Sequence, residues 1–244
     1  MKKLTLVLLV LSPAFVYGGH VFNVINRCNQ VIWAGTHGDN EIPANGGFRL
    51  GPGESYSFPV RNKWTGGRVW ARTGCDANGM NCETGDCGAT YCTGRTVFDA
   101  VTLAEFGLDS DFLGLDFWDI SLVDGYNVPV SIEPVPGTVQ NGDKCHRISC
   151  SFDFNVCPNN FVQWGHSSNL AGCKSACSAL REGRYCCPYD QGYNPDNCFP
   201  SDYSRIFKNQ CPDAYSYAFD DDTSTFACIS STPYSSGYTV TFCP

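Results

Sequence analysis

The chain has 244 residues, 43% of them hydrophobic, and this content excludes an intrinsically disordered protein. Its formal net charge of −8 repels nucleic acid and anionic membranes, so neither is an expected partner. Charged residues make up 16% of the chain and aromatic residues 14%, a composition typical of a rigid extracellular β protein.

The first residues carry the pattern of a secretory signal peptide. Lys2 and Lys3 form a short positive region, residues 4–16 are mostly apolar, and small residues follow at Gly18 and Gly19. The apolar run is shorter than the roughly 20 residues that a membrane-spanning helix needs. We therefore expect cleavage after Gly18, a secreted extracellular protein and no integral membrane anchor.

Short segments with alternating apolar residues predict β-strands. The alternation occurs in residues 55–60, 128–132 and 238–242. Pro59 in the first segment favours an edge strand, because proline cannot donate to a β-ladder. Clusters of Gly, Asn and Pro separate the segments, which is typical of a sandwich or a barrel-like jelly roll.

Residues 145–211 are rich in cysteine and predict two short helices. Four residues at helical spacing predict the first: Leu170, Cys173, Cys177 and Leu180. Ser167 or Ser168 is its expected N-cap. Residues 201–210 predict the second helix. Large aliphatic residues are too few here for a separate core, so we expect a loop-rich region held by disulfides.

The chain contains 16 cysteines, an even number behind a predicted signal peptide, which predicts eight disulfide bonds. Structural zinc sites usually show paired C-x₂-C spacings, and the four histidines do not cluster near the cysteines. We therefore expect no metal and no cofactor. The residues alone leave the disulfide connectivity open.

Several motifs resemble those of the thaumatin-like proteins, a family of secreted, pathogenesis-related and antifungal type. The motifs are CETGDC at 82–87, TLAEF at 102–106, DFWDISLVDG at 116–125, CPDAYSY at 211–217 and VTFCP at 240–244. The resemblance covers the whole mature chain. It implies a mostly β fold: a thaumatin-like, jelly-roll-like β-sandwich with a disulfide-rich loop and helix domain and a small disulfide loop domain.

The resemblance also implies domain boundaries and disulfide pairs. Residues 1–18 form the signal peptide, residues 19–74, 94–146 and 212–244 the sandwich, residues 75–93 the small disulfide loop domain, and residues 147–211 the disulfide-rich domain. The implied pairs are Cys28–Cys243, Cys75–Cys82, Cys87–Cys92, Cys145–Cys228, Cys150–Cys211, Cys157–Cys173, Cys177–Cys186 and Cys187–Cys198.

Members of this family carry an acidic cleft between the sandwich and the disulfide-rich domain. The matching positions are one arginine and four carboxylates: Arg72, Glu105, Asp119, Asp124 and Asp220. Carboxylates accept paired hydrogen bonds from sugar hydroxyls, while aromatic faces such as those of Phe106 and Phe117 pack on the ring. We therefore expect a monomer that binds β-1,3-glucan or a related polysaccharide in antifungal defence.

Three of the carboxylates also have simpler interpretations. Thr102-x-x-Glu105 matches a capping box, in which both side chains serve a helix N-terminus. Asp124 precedes a glycine and suits an ordinary turn. Asp220 opens an acidic run that is typical of a solvated loop.

The identity of the cleft arginine and the type of activity also have alternatives. Strand alternation places Arg68 and Arg72 on one face, and the family match favours Arg72. Glycoside hydrolysis needs one protonated and one ionised carboxyl group, here Glu105 as proton donor with Asp119 or Asp124. A third possibility is a structural or protein-binding role, such as enzyme inhibition or membrane disruption. Nucleophile-elbow, phosphate-loop and dinucleotide motifs are absent.

Overall fold

The computed structural model describes residues 19–61, 63–94, 100–109, 114–135, 138–139, 144–230 and 237–244. The predicted signal peptide lies outside the described residues. None of the helices within these ranges is long and apolar enough to cross a membrane.

The described residues form fifteen strands and four α-helices. The strands are β1 (Gly19–Asn26), β2 (Ile32–His37), β3 (Gly47–Leu50), β4 (Ser55–Arg61), β5 (Gly67–Arg72), β6 (Leu103–Gly107), β7 (Leu115–Ser121), β8 (Gly125–Tyr126), β9 (Val130–Pro134), β10 (Thr138–Val139), β11 (Ile148–Cys150), β12 (Val162–Trp164), β13 (Leu170–Lys174), β14 (Phe226–Ser230) and β15 (Gly237–Phe242). The helices are α1 (Ala176–Leu180), α2 (Gly183–Cys186), α3 (Asp202–Gln210) and α4 (Asp221–Ser224). Single 3₁₀ turns occur at Pro43–Gly46, Phe154–Val156, Asn159–Phe161 and Tyr189–Gln191.

Two large sheets form a sandwich. One has five strands in the order β11-β9-β15-β1-β4, and the other has seven in the order β10-β14-β7-β6-β5-β2-β3. β1 and β15 pair in parallel with Val24 opposite Val240, so the first and last described strands are neighbours. A third sheet, β12-β13-β8, joins two strands of the cysteine-rich part to β8, which follows β7 of the sandwich. The mostly β fold expected from the resemblance is confirmed.

Aromatic side chains fill the space between the two large sheets. The ring of Phe22 on β1 meets Phe106 on β6 edge to face, with centroids 4.7 Å apart. Tyr238 on β15 contacts Phe106 at 5.3 Å and Trp118 on β7 at 5.8 Å. Offset and edge-to-face pairs add about 0.5–1.5 kcal/mol each beyond their burial. These contacts fix how the two sheets face each other.

Most local predictions from the sequence are confirmed. The strand predicted at residues 55–60 is β4, at the edge of the five-stranded sheet, where Pro59 costs no ladder bond. The strand at residues 238–242 is β15. The second predicted helix is α3, and its N-cap Ser201 accepts a hydrogen bond from the Ser204 amide.

The helix predicted across residues 170–180 is wrong in its first half. Leu170–Lys174 is strand β13, which pairs with both β12 and β8, and Leu170 is 37% exposed. Its helical spacing was therefore coincidental, and tertiary strand pairing decides the structure. Only Ala176–Leu180 is helical, and its N-cap is Ser175 rather than Ser167 or Ser168.

The structure contains eight disulfide bonds, and they join the pairs that the resemblance implies. They are Cys28–Cys243, Cys75–Cys82, Cys87–Cys92, Cys145–Cys228, Cys150–Cys211, Cys157–Cys173, Cys177–Cys186 and Cys187–Cys198. The Cys28–Cys243 bond closes a separation of 215 residues next to the β1–β15 pair. It therefore links the ends of two neighbouring strands of the five-stranded sheet.

Removing the long-range disulfide is expected to be costly. The double variant Cys28→Ala with Cys243→Ala should lower the free energy of unfolding by about 2–5 kcal/mol, because the bond restricts the unfolded chain over its whole length. Cys177→Ala with Cys186→Ala, a separation of 9 residues, is the matched control and should cost less. Guanidinium titration of both variants measures the difference. Equal losses would contradict the ranking.

Candidate functional site

A row of polar side chains crosses the outward face of the seven-stranded sheet. The cross-strand register places His37 on β2 opposite Arg68 on β5, Arg68 opposite Glu105 on β6, and Glu105 opposite Asp119 on β7. Directly opposite residues on antiparallel strands have Cβ atoms about 4.5–5.5 Å apart. Sheet pairing alone therefore brings these four residues together from distant parts of the chain.

Arg68 and Glu105 form the ion pair at the centre of this row. The Arg68 Nε donates to Glu105 Oε1 at 2.8 Å, and the side chains are 39% and 26% exposed. Glu105 lies inside β6, and the Thr102 hydroxyl donates instead to the Val128 carbonyl at 3.0 Å. The capping-box interpretation of Glu105 is therefore wrong.

Asp119 is a buried carboxyl group with an unused acceptor. Its Oδ1 is inaccessible to solvent and has no hydrogen-bond partner among the described residues. Burial raises the pKa of Asp119 well above its usual value, the negative charge of Glu105 raises it further, and Arg68 opposes both. Asp119 as a whole is only half-buried, so its carboxyl group borders solvent, and the unpaired oxygen can bond a ligand once the side chain rotates.

Asp124 joins the same electrostatic group from the turn after β7. The Gly125 amide donates to the Leu122 carbonyl at 3.0 Å, which closes that turn. Burial raises the pKa of Asp124 to about 6, and the charge of Glu105 contributes in the same direction. Arg68 and Arg181 partly oppose the shift. We refer to Glu105, Asp119 and Asp124 as the carboxylate cluster.

The segment after α3 forms one wall of the site. Tyr215 extends the β7 edge, since its amide donates to the Ile120 carbonyl at 2.9 Å and its carbonyl accepts from the Leu122 amide at 2.8 Å. Its hydroxyl donates to Asp221 Oδ1 at 3.0 Å. Burial raises the pKa of Tyr215, and the charges of Asp119 and Asp221 add to this. The wall is therefore acidic as well.

The arginine of the site is Arg68, and the assignment of Arg72 to it is wrong. Arg72 is fully buried, and its guanidinium donates to the main-chain carbonyls of Gly79, Ala89 and Thr90 at 2.9, 2.8 and 2.7 Å and to that of Trp33 at 3.3 Å. Both arginines lie on the same face of β5, as the alternation predicts. The loop that follows β5 covers the Arg72 end, so Arg72 anchors that loop.

The two predicted aromatic partners divide between the two faces of the sheet. Phe106 is 4% exposed and packs against Phe22 and Trp64 in the core, so its assignment to the site is wrong. Phe117 is half-buried on β7, on the same face as Asp119. It is the aromatic side chain that the strand presents beside the carboxylate cluster.

Asp220 has a structural role in the wall. Its Oδ2 accepts hydrogen bonds from the Ser216 amide and hydroxyl and lies 3.1 Å from Lys208 Nζ, while Oδ1 accepts from the Thr223 hydroxyl. Both oxygens are thus engaged, which speaks against its assignment to substrate binding. Asp221, next in the chain, is the residue whose charge reaches Asp119.

His37 and Tyr215 belong to the site, although the sequence pattern did not indicate them. The His37 Nδ1 is buried without a hydrogen-bond partner among the described residues. Burial and the positive charge of Arg68 lower the pKa of His37, with Asp39 opposing. In β2, residues 33, 35 and 37 lie on one face of the strand, and this spacing was the signal that could have indicated His37. For Tyr215 the available signal was its place in the CPDAYSY motif, although that motif does not reveal the long-range bridge to Ser121.

One group of metal-binding side-chain types comes together within the described ranges, namely His20, Asp109 and Asp116. His20 Nε2 lies 2.9 Å from Asp109 Oδ2, and Nδ1 lies 3.5 Å from Asp116 Oδ2. Tyr238 donates to Asp116 Oδ2 at 3.0 Å. Because both imidazole nitrogens already face carboxylates, these residues form an internal network of hydrogen bonds and ion pairs. The absence of a metal stays a prediction.

Comparison with known proteins places this architecture in a family. The thaumatin family model matches residues 26–244. Pathogenesis-related protein 5 of Arabidopsis thaliana is 47% identical over 229 residues, covering 91% of this chain and 90% of that protein. A glucan endo-1,3-beta-glucosidase of Prunus avium is 40% identical and covers 100% of both chains. An alpha-amylase/trypsin inhibitor of Zea mays is 43% identical, covering 92% of this chain and 100% of that protein. The three names differ in activity.

The two arginines of β5 should respond differently to substitution. Arg72→Met should lower the free energy of unfolding by about 3 kcal/mol or more, because four main-chain carbonyls lose their buried donor. Arg68→Met, the matched control, should change it by less than about 1 kcal/mol, since its ion pair is partly exposed. Urea denaturation compares the two. Similar losses would contradict the structural role of Arg72.

The carboxylate cluster should make stability depend on pH. A carboxyl group whose pKa is raised on folding retains a proton that the unfolded chain has released, so stability falls as pH rises from about 4 to 7. Asp124→Asn removes the part of this loss that Asp124 contributes. Relative to wild type, the free energy of unfolding of the variant should rise by on the order of 1–3 kcal/mol between pH 4 and 7, because the pKa of Asp124 in the wild type is about 6.

The matched control is Asp196→Asn, an exposed position in the loop before α3. Melting temperatures of wild type and both variants, recorded at several pH values, provide the measurement. A difference between Asp124→Asn and wild type that stays constant with pH would contradict the raised pKa.

Proposed function

Because the chain belongs to the thaumatin family, we propose that it is a defence protein that binds β-1,3-glucan at the carboxylate cluster. The observation that carries the proposal is the unpaired, buried Oδ1 of Asp119 beside the Arg68–Glu105 ion pair. A binding surface with acceptors and a donor side by side suits hydroxyl groups, which can both donate and accept.

The electrostatics favour a neutral ligand that is rich in hydroxyls. The negative charges of Glu105 and of Asp221 in the wall already oppose ionisation of Asp119, and they would repel a bound anion in the same way. Sugar hydroxyls donate to carboxylate oxygens without adding charge. The half-buried ring of Phe117 offers an apolar contact next to them. These features support a neutral polysaccharide, and the relative named as a β-1,3-glucosidase supports the linkage.

The eight disulfide bonds support a location outside the cell, because disulfides persist in oxidising compartments. The family of pathogenesis-related relatives supports a role in defence. A monomeric state and an antifungal effect belong to the same proposal.

Sedimentation with insoluble β-1,3-glucan, with chitin and cellulose as comparison polymers, tests the binding. The double variant Asp119→Ala with Asp124→Ala should lose at least tenfold in affinity, because it removes the acceptors for the sugar hydroxyls. Its melting temperature should not fall, since neither carboxyl group is stabilising at neutral pH. Asp196→Ala is the matched control and should bind like wild type.

Two results would count against this proposal. If the double variant binds glucan as tightly as wild type does, the carboxylate cluster is not the binding site. If the wild type sediments with none of the polymers but inhibits an amylase or a protease, a protein-binding role would replace glucan binding. The inhibitor from Zea mays is the precedent for that outcome.

Hydrolysis of β-1,3-glucan is the second candidate, and the raised pKa values favour it. A glycoside hydrolase needs a protonated acid beside an ionised carboxylate. Asp124, whose pKa is about 6, and Asp119 are the groups that retain a proton, while Glu105 supplies the negative charge that helps them do so. We therefore move the role of proton donor from Glu105 to Asp124 or Asp119.

Release of oligosaccharides from laminarin tests this assignment. Asp124→Asn and Asp119→Asn should retain glucan binding, and the variant of the proton donor should lose at least 100-fold in turnover, in line with general acid catalysis. Glu105→Gln should lower the pH optimum of any remaining turnover, because the neighbouring pKa values fall when its charge is removed. If wild type releases no product between about pH 4 and 7, the range in which such an acid works, only the binding proposal remains.

A further inference from the structure

A second concave surface lies at the edge of the seven-stranded sheet, and it shares no residue with the carboxylate cluster. It is an open groove of about 630 Å³ at strands β2, β3 and β4 and the loop before Cys92. We define the aromatic groove by six of its lining residues: Trp33, Asn45, Phe48, Arg49, Tyr56 and Tyr91. Four of the six are aromatic.

Two of the four rings of the aromatic groove are exposed, and the other two are half-buried. Tyr56 is 45% exposed and Tyr91 is 51% exposed. Phe48 packs against Tyr56 with centroids 4.4 Å apart, so these two rings form one surface. Exposed aromatic clusters of this kind usually mark binding sites, since exposing them to water is unfavourable.

The groove is also held in place from behind. The indole of Trp33 lies on Gly79, where a Cβ atom would come within 2.6 Å of the ring. The guanidinium carbon of the buried Arg72 is 5.8 Å from the ring centroid. On the other side, the Cys92 amide donates to the Gly46 carbonyl at 3.0 Å and fixes the loop that carries Tyr91. Rings held in this way lose little entropy when a ligand binds.

Hydrogen-bonding groups lie between the rings. Arg49 is exposed and stands directly opposite Trp33 in the β2–β3 ladder. Asn45 adopts a left-handed conformation with φ of 55° in the turn before β3. Of the described residues that line the groove, none is acidic. This arrangement differs from the carboxylate cluster, where acceptors predominate.

We propose that the aromatic groove is a second carbohydrate-binding site, one that holds a neutral pyranose chain mainly by stacking. The apolar face of a pyranose ring fits an aromatic ring, and its hydroxyl rim finds the donors of Arg49 and Asn45. The volume is in the range of about 300–1,000 Å³ that is usual for sites of small ligands. A protein partner would need a contact of about 800 Å² on each side, far more than this recess offers.

The proposal does not rest on the carboxylate cluster, and the two sites predict different behaviour. Binding in the aromatic groove should be independent of pH between about 4 and 7, because none of its described lining residues carries a carboxyl group or an imidazole. The carboxylate cluster changes its charge over that range. Two sites on one chain would also increase retention on an insoluble polymer by avidity.

The test uses the full mature chain with the carboxylate cluster disabled by Asp119→Ala and Asp124→Ala. This background is measured on insoluble β-1,3-glucan, chitin, cellulose and xylan. We expect it to bind at least one of these polymers, independently of pH. Adding Tyr56→Ala and Tyr91→Ala should reduce that binding at least fivefold, whereas Tyr91→Phe should preserve it, because the phenyl ring can still stack.

Two further variants keep the result interpretable. Tyr189→Ala removes a ring that is 72% exposed elsewhere, and it should leave binding unchanged. Arg49→Ala alters an exposed residue of the groove and should weaken binding without lowering the melting temperature. If the background binds none of the four polymers, or if the tyrosine and Arg49 variants bind like it, the aromatic groove is not a carbohydrate site. Glucan binding that is lost only through Asp119 and Asp124 would leave the first proposal intact.

Discussion

The aromatic contacts between the two large sheets determine which side chains can reach the candidate site. Phe106 and Trp118 point inward and meet Tyr238 on the opposite sheet. Because side chains alternate along a strand, their neighbours Glu105 and Asp119 must point outward. A shift of one residue in either strand would bury the carboxylates and expose the rings, at a large cost in free energy. The core therefore holds the carboxylate cluster in register.

Within that register, one ion pair influences the remaining charges. Glu105 accepts from Arg68 and at the same time raises the pKa values of Asp119 and Asp124. Arg68 acts in the opposite sense on both aspartates. The protonation state of the site therefore follows from the geometry of three adjacent strands, and the acidic composition of the chain as a whole contributes little to it.

The sequence was informative where local patterns decide the structure. The edge strand with Pro59 and the helix capped by Ser201 follow from local rules, and both were predicted. It was misleading where a covering segment or a long-range partner decides. Alternation placed Arg68 and Arg72 on one face, but it contains no information about the loop that buries Arg72. Likewise, the spacing of Leu170 and Cys173 suited a helix, and pairing with β8 and β12 made this segment a strand.

The parallel pairing of β1 with β15 has a consequence for biosynthesis. β15 lies inside the five-stranded sheet, between β1 and β9, although it is made last. Until the final residues have been synthesised, β1 and β9 therefore each have one edge without its partner strand. Exposed strand edges of this kind can pair with strands of other chains, which leads to aggregation. Because Cys243 follows β15, the Cys28–Cys243 disulfide can form only after this strand has been made, and a premature stop near the C-terminus removes a central strand of the sheet.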